Sequence, residues 1–147
     1  PIYDYTERFI GDIKTPVKYA THELRRQLAE VESRMTQNFI ENEIPEFLQE
    51  RYMRRLSEGK DETLEGQILS VADKVDLLYE SFGEIQKGNP QSVYLDIFRE
   101  SLSTIIQFKA LKSVQYFLNE VLPDLLNEQF ADRARLVAIS DELLKRQ

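Results

Sequence analysis

Three long apolar ladders at helical spacing constrain this chain more than any other feature. Leu24, Leu28, Val31, Met35 and Phe39 step by four, three, four and four residues. Leu64, Ile68, Val71, Val75, Leu78, Phe82 and Ile85 form a second ladder. Phe98, Leu102, Ile105, Phe108, Leu111, Val114 and Leu118 form a third. Such spacing places each set along one face of an α-helix. The period of two that marks a half-buried strand is nowhere sustained, so the fold class is all-α. With 147 residues the chain is long enough for one domain with a real core.

Breakers divide the ladders. Gly11, Pro16, Pro45, Gly59, Gly88, Pro90 and Pro123 punctuate the chain at segment edges. Thr15-Pro16 and Asn89-Pro90 each set a capping residue before a proline suited to the first helical position. Asp61 or Thr63 can cap the helix that begins near Leu64. The pattern predicts helices over about 2–10, 16–42, 45–57, 62–86, 90–121 and 123–146. No internal repeat, low-complexity run or linker interrupts them. The last twenty or so residues are more charged, which reads as a loosely attached terminal helix.

Charge and composition remove several function classes. Nineteen basic against 26 acidic residues give a formal net charge of −7. That balance argues against binding a nucleic acid polymer or an anionic membrane surface. There is no cysteine, so disulfides, thiolate metal sites and Cys nucleophiles are absent. The single histidine, His22, excludes His-rich metal sites within one chain, and no Glu-x-x-His pairs exist for a di-iron bundle. His22 shares the polar face of its helix with Arg25 and Arg26, which reads as an exposed structural residue. No apolar run approaches the length of a bilayer span. Pro1-Ile2-Tyr3-Asp4 has the character of neither a signal nor a transit peptide, and the expected location is cytoplasmic.

Two places carry unusual chemistry. The 62–86 helix is apolar on more than one side, with Leu69 and Leu77 beside its main stripe, yet it holds Asp73 and Asp76 one turn apart. A central helix does not bury carboxylates without a cation or a metal. They either face solvent, pair with a cation such as Lys74, or serve a site. The second place is residues 3–19. Asp4 and Glu7 stand at i and i+3, on one helical face. Gly11 ends that helix, Asp12 opens a short loop, and the next helix begins with Lys14 and Lys18 nearby, which suits an anion. Read by spacing alone, this is either a metal-assisted phosphate site or an ordinary helix–loop–helix corner.

The wording of that corner resembles the bacterial HD-domain 5′-deoxynucleotidases, the YfbR-like family. Gly11-Asp12-Ile13-Lys14-Thr15-Pro16-Val17-Lys18-Tyr19 matches the family string Gly-Asp-x-x-Thr-Pro-Val-Lys-Tyr. Tyr3-Asp4-Tyr5-Thr6-Glu7 stands where the family has His-Asp-x-x-Glu. Ala72-Asp73-Lys74-Val75-Asp76 falls where the family has its late metal-binding aspartate. The resemblance covers about residues 2–125 and implies an HD-domain-like helical bundle. It divides the chain into a core at 1–125, the C-terminal two thirds of the family domain, and a terminal helical extension at 126–147.

The implied activity is hydrolysis of deoxynucleoside 5′-monophosphates to deoxynucleosides and phosphate with a divalent metal (cobalt, manganese or magnesium). By position, Asp4 and Asp73 would be metal ligands and Glu7 would position the attacking water. Asp12, Ile13, Lys14 and Thr15 would line the substrate site, while Pro16 and Tyr19 would be structural. The resemblance has departures. Tyr3 replaces the histidine of the His-Asp pair, and neutral phenol is a poor ligand beside imidazole. The family's early histidine lies upstream of the matched region, so the bundle reads as truncated at its N-terminus. Metal binding is expected to be weak or absent, and turnover slow or nil. The alternative is a non-catalytic helical protein acting through self-association or a partner. Self-association is expected in either case, because the 64–86 and 92–118 stripes should be partly uncovered in a monomer.

Overall fold

The computed structural model describes residues 7–11, 13–57 and 62–146. All regular structure among them is helical. Contacts divide the chain between Gly66 and Gln67 into two compact units.

The first unit is organised by one long helix. Helices α1 (Glu7–Ile10) and α2 (Thr15–Lys18) both pack on α3 (His22–Glu43), which pairs with α4 (Glu46–Ser57) as a helical hairpin. The helix predicted over 16–42 is therefore two. Thr21 interrupts it with extended backbone (φ −146°, ψ 152°), and its Oγ1 accepts from the Leu24 N–H at 3.0 Å. A threonine that caps one helix cannot continue the previous one. At the far end Ile44 is extended because Pro45 follows it, and the Ile44 N–H still donates to the Ile40 carbonyl. The buried positions of α3 are Thr36 and Ile40, one residue beyond Met35 and Phe39 of the predicted ladder. Thr36 satisfies its hydroxyl on the Glu32 carbonyl at 2.8 Å.

In the second unit α5 (Leu64–Gln86) ends on a left-handed glycine. Gly88 has φ +81°, its N–H donates to the Ile85 carbonyl, and the Asn89 N–H reaches the Glu84 carbonyl. These two bonds make a Schellman end, which requires a residue free to adopt positive φ. Asn89 also bonds the Glu84 carboxylate through Nδ2 at 3.0 Å. Asn89 thus closes α5 through Nδ2, while its Oδ1 accepts from the Gln91 N–H at 3.1 Å in the turn that leads to the next helix, four residues before that helix begins. Helix α6 (Val93–Gln107) starts at Val93. Thr63 does cap α5, with Oγ1 accepting from the Gly66 N–H at 3.1 Å.

Helix α6 is the most deeply buried element. Phe98, Leu102 and Ile105 are fully enclosed, and Tyr94, Ile97 and Ile106 are buried beside them. The expected uncovered stripe is therefore absent from α6. It is present on α5, where Leu64, Ile68 and Tyr79 are 58%, 49% and 42% exposed, while Val71, Leu78, Phe82 and Ile85 are buried. After a turn at Phe108–Leu111, a continuous helical run follows: α7 (Lys112–Tyr116), a π-helical turn (Phe117–Val121) and α8 (Leu122–Asn127). The predicted break at Pro123 becomes this wide turn. Proline has no N–H and its ring clashes with the carbonyl four residues back, here Asn119. The run accommodates it by letting the Leu122 N–H reach back five residues to the Phe117 carbonyl.

Helix α9 (Arg133–Lys145) packs on α6 through Leu136 and Ile139. The Arg99 guanidinium meets the Glu142 carboxylate at 2.9 Å across the same contact. Phe130, just before α9, stands edge-on to Phe82 of α5, with ring centroids 5.5 Å apart. No helix among the described residues is long and apolar enough to cross a membrane.

The hydroxyls of Ser101 and Ser140 are buried without a hydrogen-bond partner among the described residues. An unsatisfied buried hydroxyl costs about 1–3 kcal/mol, and alanine is the better helix former. Ser101→Ala and Ser140→Ala should each raise unfolding free energy by about 1 kcal/mol in urea titrations. The Glu142 carboxyl is held below its ordinary value, first by the hydrogen bond from Arg99 and also by the Arg99 and Arg146 charges. A lowered carboxylate pKa contributes stability above the unfolded value, and that contribution is lost as pH falls through the folded value. Wild type should therefore exceed Glu142→Gln in stability near neutral pH, and urea midpoints should converge as pH drops below about 4.

Candidate functional site

The Gly11–Tyr19 string forms a tight corner between α1 and α3. Gly11 leaves α1 with φ +81°, a conformation that side-chain-bearing residues rarely adopt. Three residues later the Lys14 carbonyl accepts from both the Val17 and Lys18 N–H groups, at 2.9 and 3.2 Å. These bonds wind the single turn of α2. The Ala20 N–H then closes on the Val17 carbonyl at 3.2 Å, and Thr21 restarts the chain as α3. Ile13 is half-buried and Lys14 is exposed; Pro16 and Lys18 are half-buried.

The arginines at the start of α3 divide in role. Arg26 lies between Glu23 and Glu30, at 2.7 and 2.5 Å, on the solvent side. The Glu23 carboxyl is held below its ordinary value, first by the Arg26 hydrogen bond. Arg25 turns the other way and lays its guanidinium over the ring of Tyr19, 4.5 Å from the centroid. His22 is exposed at the first position of α3, as its place on the polar face indicated.

The sequence-derived site residues fall unevenly in the structure. Asp4 and Asp12 lie outside the described residues. Glu7 and Thr15 are placed by their backbone, as the first residues of α1 and α2. Ile13 and Lys14 lead into α2. Asp73 lies on α5 in the second unit, with its side chain 33% exposed, and Lys74 Nζ is 3.7 Å from its Oδ2. The Lys74 side chain is only 18% exposed. Lys74 is thus one cation beside Asp73. Asp76 is exposed. Among the described residues no three His, Cys, Asp or Glu side chains are grouped to hold a metal ion.

The Arg25–Tyr19 stack had no signal in the sequence. Reading 16–42 as one helix set both residues on a common axis six positions apart, where side chains do not meet. Only the break at Thr21 folds Tyr19 back within reach of Arg25. An aromatic residue just before a capping threonine, with arginine a turn inside the helix, is the pattern that would have indicated it.

Comparison with known proteins agrees with this corner. Residues 2–125 match the family described as 5′-deoxynucleotidase YfbR-like. A 5′-deoxynucleotidase of Vibrio parahaemolyticus is 25% identical over 121 residues, covering 82% of this chain and 60% of that protein. One of Pectobacterium atrosepticum is equally identical over 121 residues and is covered over 59% of its length. The chain thus spans about 60% of the length of the curated relatives it matches. In three dimensions it resembles the crystal structure of an HD-domain phosphohydrolase from Listeria innocua. The TM-score is 0.77 at 55% identity, over 99% of this chain and 69% of that one. With the family matched over most of its residues and the helices superimposing on such a fold, the chain belongs to the 5′-deoxynucleotidase YfbR-like family and has the all-α fold of an HD-domain phosphohydrolase.

Proposed function

We propose that this chain takes part in hydrolysing the phosphomonoester of deoxynucleoside 5′-monophosphates. The observation that carries this reading is the Gly11–Tyr19 corner, whose residue types match the family string and whose fold presents Lys14 and Lys18 around one helical turn. Two cationic side chains beside a backbone turn suit the dianionic phosphate of a nucleotide. Asp12, Ile13, Lys14 and Thr15 line the substrate in this reading, and Glu7 orients the attacking water. Asp4 and Asp73 are the carboxylates offered to a divalent ion, and the lysine beside Asp73 must be displaced or shared when they serve it. Tyr3 in place of the family histidine weakens that ion's hold, because a phenol with a reference pKa near 10 ionises reluctantly at neutral pH.

A second reading has its own observation. Leu64, Ile68 and Tyr79 lie along one face of α5 and are each more than two-fifths exposed. A stripe of that kind favours self-association, worth about 25 cal/mol per Å² of apolar surface covered. Light scattering at micromolar concentration separates the two states, and a clean monomer mass would remove this reading.

The catalytic reading is tested by phosphate release from deoxyadenosine monophosphate with cobalt, manganese or magnesium. Slow turnover is expected, with weak metal binding that Tyr3→His tightens. Loss of groups that merely support a ligand already lowers metal affinity or activity about 10- to 100-fold, so Asp73→Ala should lower the rate at least as far. Phosphate release that is indifferent to Asp73→Ala would overturn the assignment of that residue.

A further inference from the structure

We propose that Arg25 is a positioning residue for the nucleotide corner, acting through the ring of Tyr19. The inference deepens the functional reading above and rests on it for the identity of the ligand. Helix α2 is a single turn of four residues. A turn that short does not persist by its own hydrogen bonds, because nucleating a helix fixes several dihedrals for one bond gained. Its outgoing end is the Lys18-Tyr19-Ala20 segment, and beyond it Thr21 begins α3. Something must therefore tie the outgoing end to the long helix.

Helix α2 packs on α3, and two described contacts bear on its outgoing end. One is the backbone bond from the Ala20 N–H to the Val17 carbonyl at 3.2 Å, which is internal to the corner and anchors it to nothing else. The other is the Arg25 guanidinium stacked on Tyr19 at 4.5 Å. Arg25 is one turn inside α3, and its own N–H is bonded to the Thr21 carbonyl at 3.1 Å. The arginine is thus fixed by the helix it belongs to, and both it and Tyr19 are half-buried. Its neighbour Arg26 is occupied by Glu23 and Glu30 on the other side. Of the two, Arg25 is the one turned toward the corner.

The consequence follows from population arithmetic. Apparent affinity is the intrinsic affinity multiplied by the fraction of molecules whose corner is already formed. A marginal single turn makes that fraction sensitive to one contact. Removing a cation–π contact of this size shifts such an equilibrium by about two- to tenfold. Arg25 itself touches no nucleotide in this account, so the loss is shared with its partner and is not additive.

The experiment is a double-mutant cycle on Arg25→Ala and Tyr19→Leu with two readouts. The first is amide hydrogen exchange at Val17, Lys18 and Ala20, measured without ligand. The second is the dissociation constant for deoxyadenosine monophosphate with manganese present. Each single variant should speed exchange at those amides and weaken binding by about two- to tenfold, and the double variant should go no further. Arg25→Lys and Tyr19→Phe, which keep a cation and an aromatic face, should restore most of both. Unchanged exchange in the single variants, or additive effects in the double, would overturn the clamp. Faster exchange with unchanged nucleotide affinity would overturn its link to the site. Wild-type protein that shows no nucleotide binding would overturn that link and the functional reading on which it rests, while exchange alone still decides the clamp.

Discussion

Short helices exist in this protein because a long one holds them. The two single-turn helices before His22 have too few internal bonds to stand alone, and both lie on the 22-residue helix that follows. That helix is itself secured at each end, by a threonine cap at Thr21 and by an extended residue before Pro45. The corner that carries the family string therefore inherits its order from a helix whose own sequence is unremarkable and mostly polar on its outer side. The family string sits on the weakly self-supporting part, and rigidity is supplied by its neighbour.

The second unit solves a different problem. Its core is built on one helix, Val93–Gln107, whose apolar residues face inward on more than one side. Such a helix must be covered all round. The C-terminal helix covers part of it and adds an ion pair across the contact. Ser101 of that helix and Ser140 of the C-terminal one are both buried with hydroxyls that bond no described residue, a cost in hydrogen bonding. The residues past 125 are thus bound to the core by Leu136 and Ile139 and do not form a loosely attached tail.

Much of this was legible in the sequence, and the failures have physical causes. The all-α class followed from ladders at Leu24, Leu64 and Phe98, since periodicity is a property of the local chain. The Gly11–Tyr19 string identified the family because a run of specified residue types carries more information than composition does. Helix ends were less legible. Asn89-Pro90 looked like a start, yet Gly88 in front of it made the same asparagine serve an ending. Thr21 was invisible as a break because threonine also occurs within helices, and its capping role depends on backbone geometry that it shares with the preceding turn. The Asp73–Asp76 pair is a conflict visible in the sequence, but the surroundings of each carboxylate depend on packing that spacing does not give. Exposure along Leu64 and Ile68 was anticipated, and the same expectation failed for the next helix because its cover comes from residues forty positions away.

The wide turn at Phe117–Val121 has a consequence for reading relatives of this chain. Residues five apart in an α-helix point about 140° away from one another. Here Phe117 and Leu122 are five apart, and both are buried. The π turn brings them into phase by holding one residue more than an α turn does. It acts as a one-residue insertion absorbed without a loop. A relative lacking one residue between Phe117 and Leu122 would keep both apolar anchors inward at ordinary α pitch. An alignment of such sequences should therefore open its gap inside the helix, where gaps are usually forbidden.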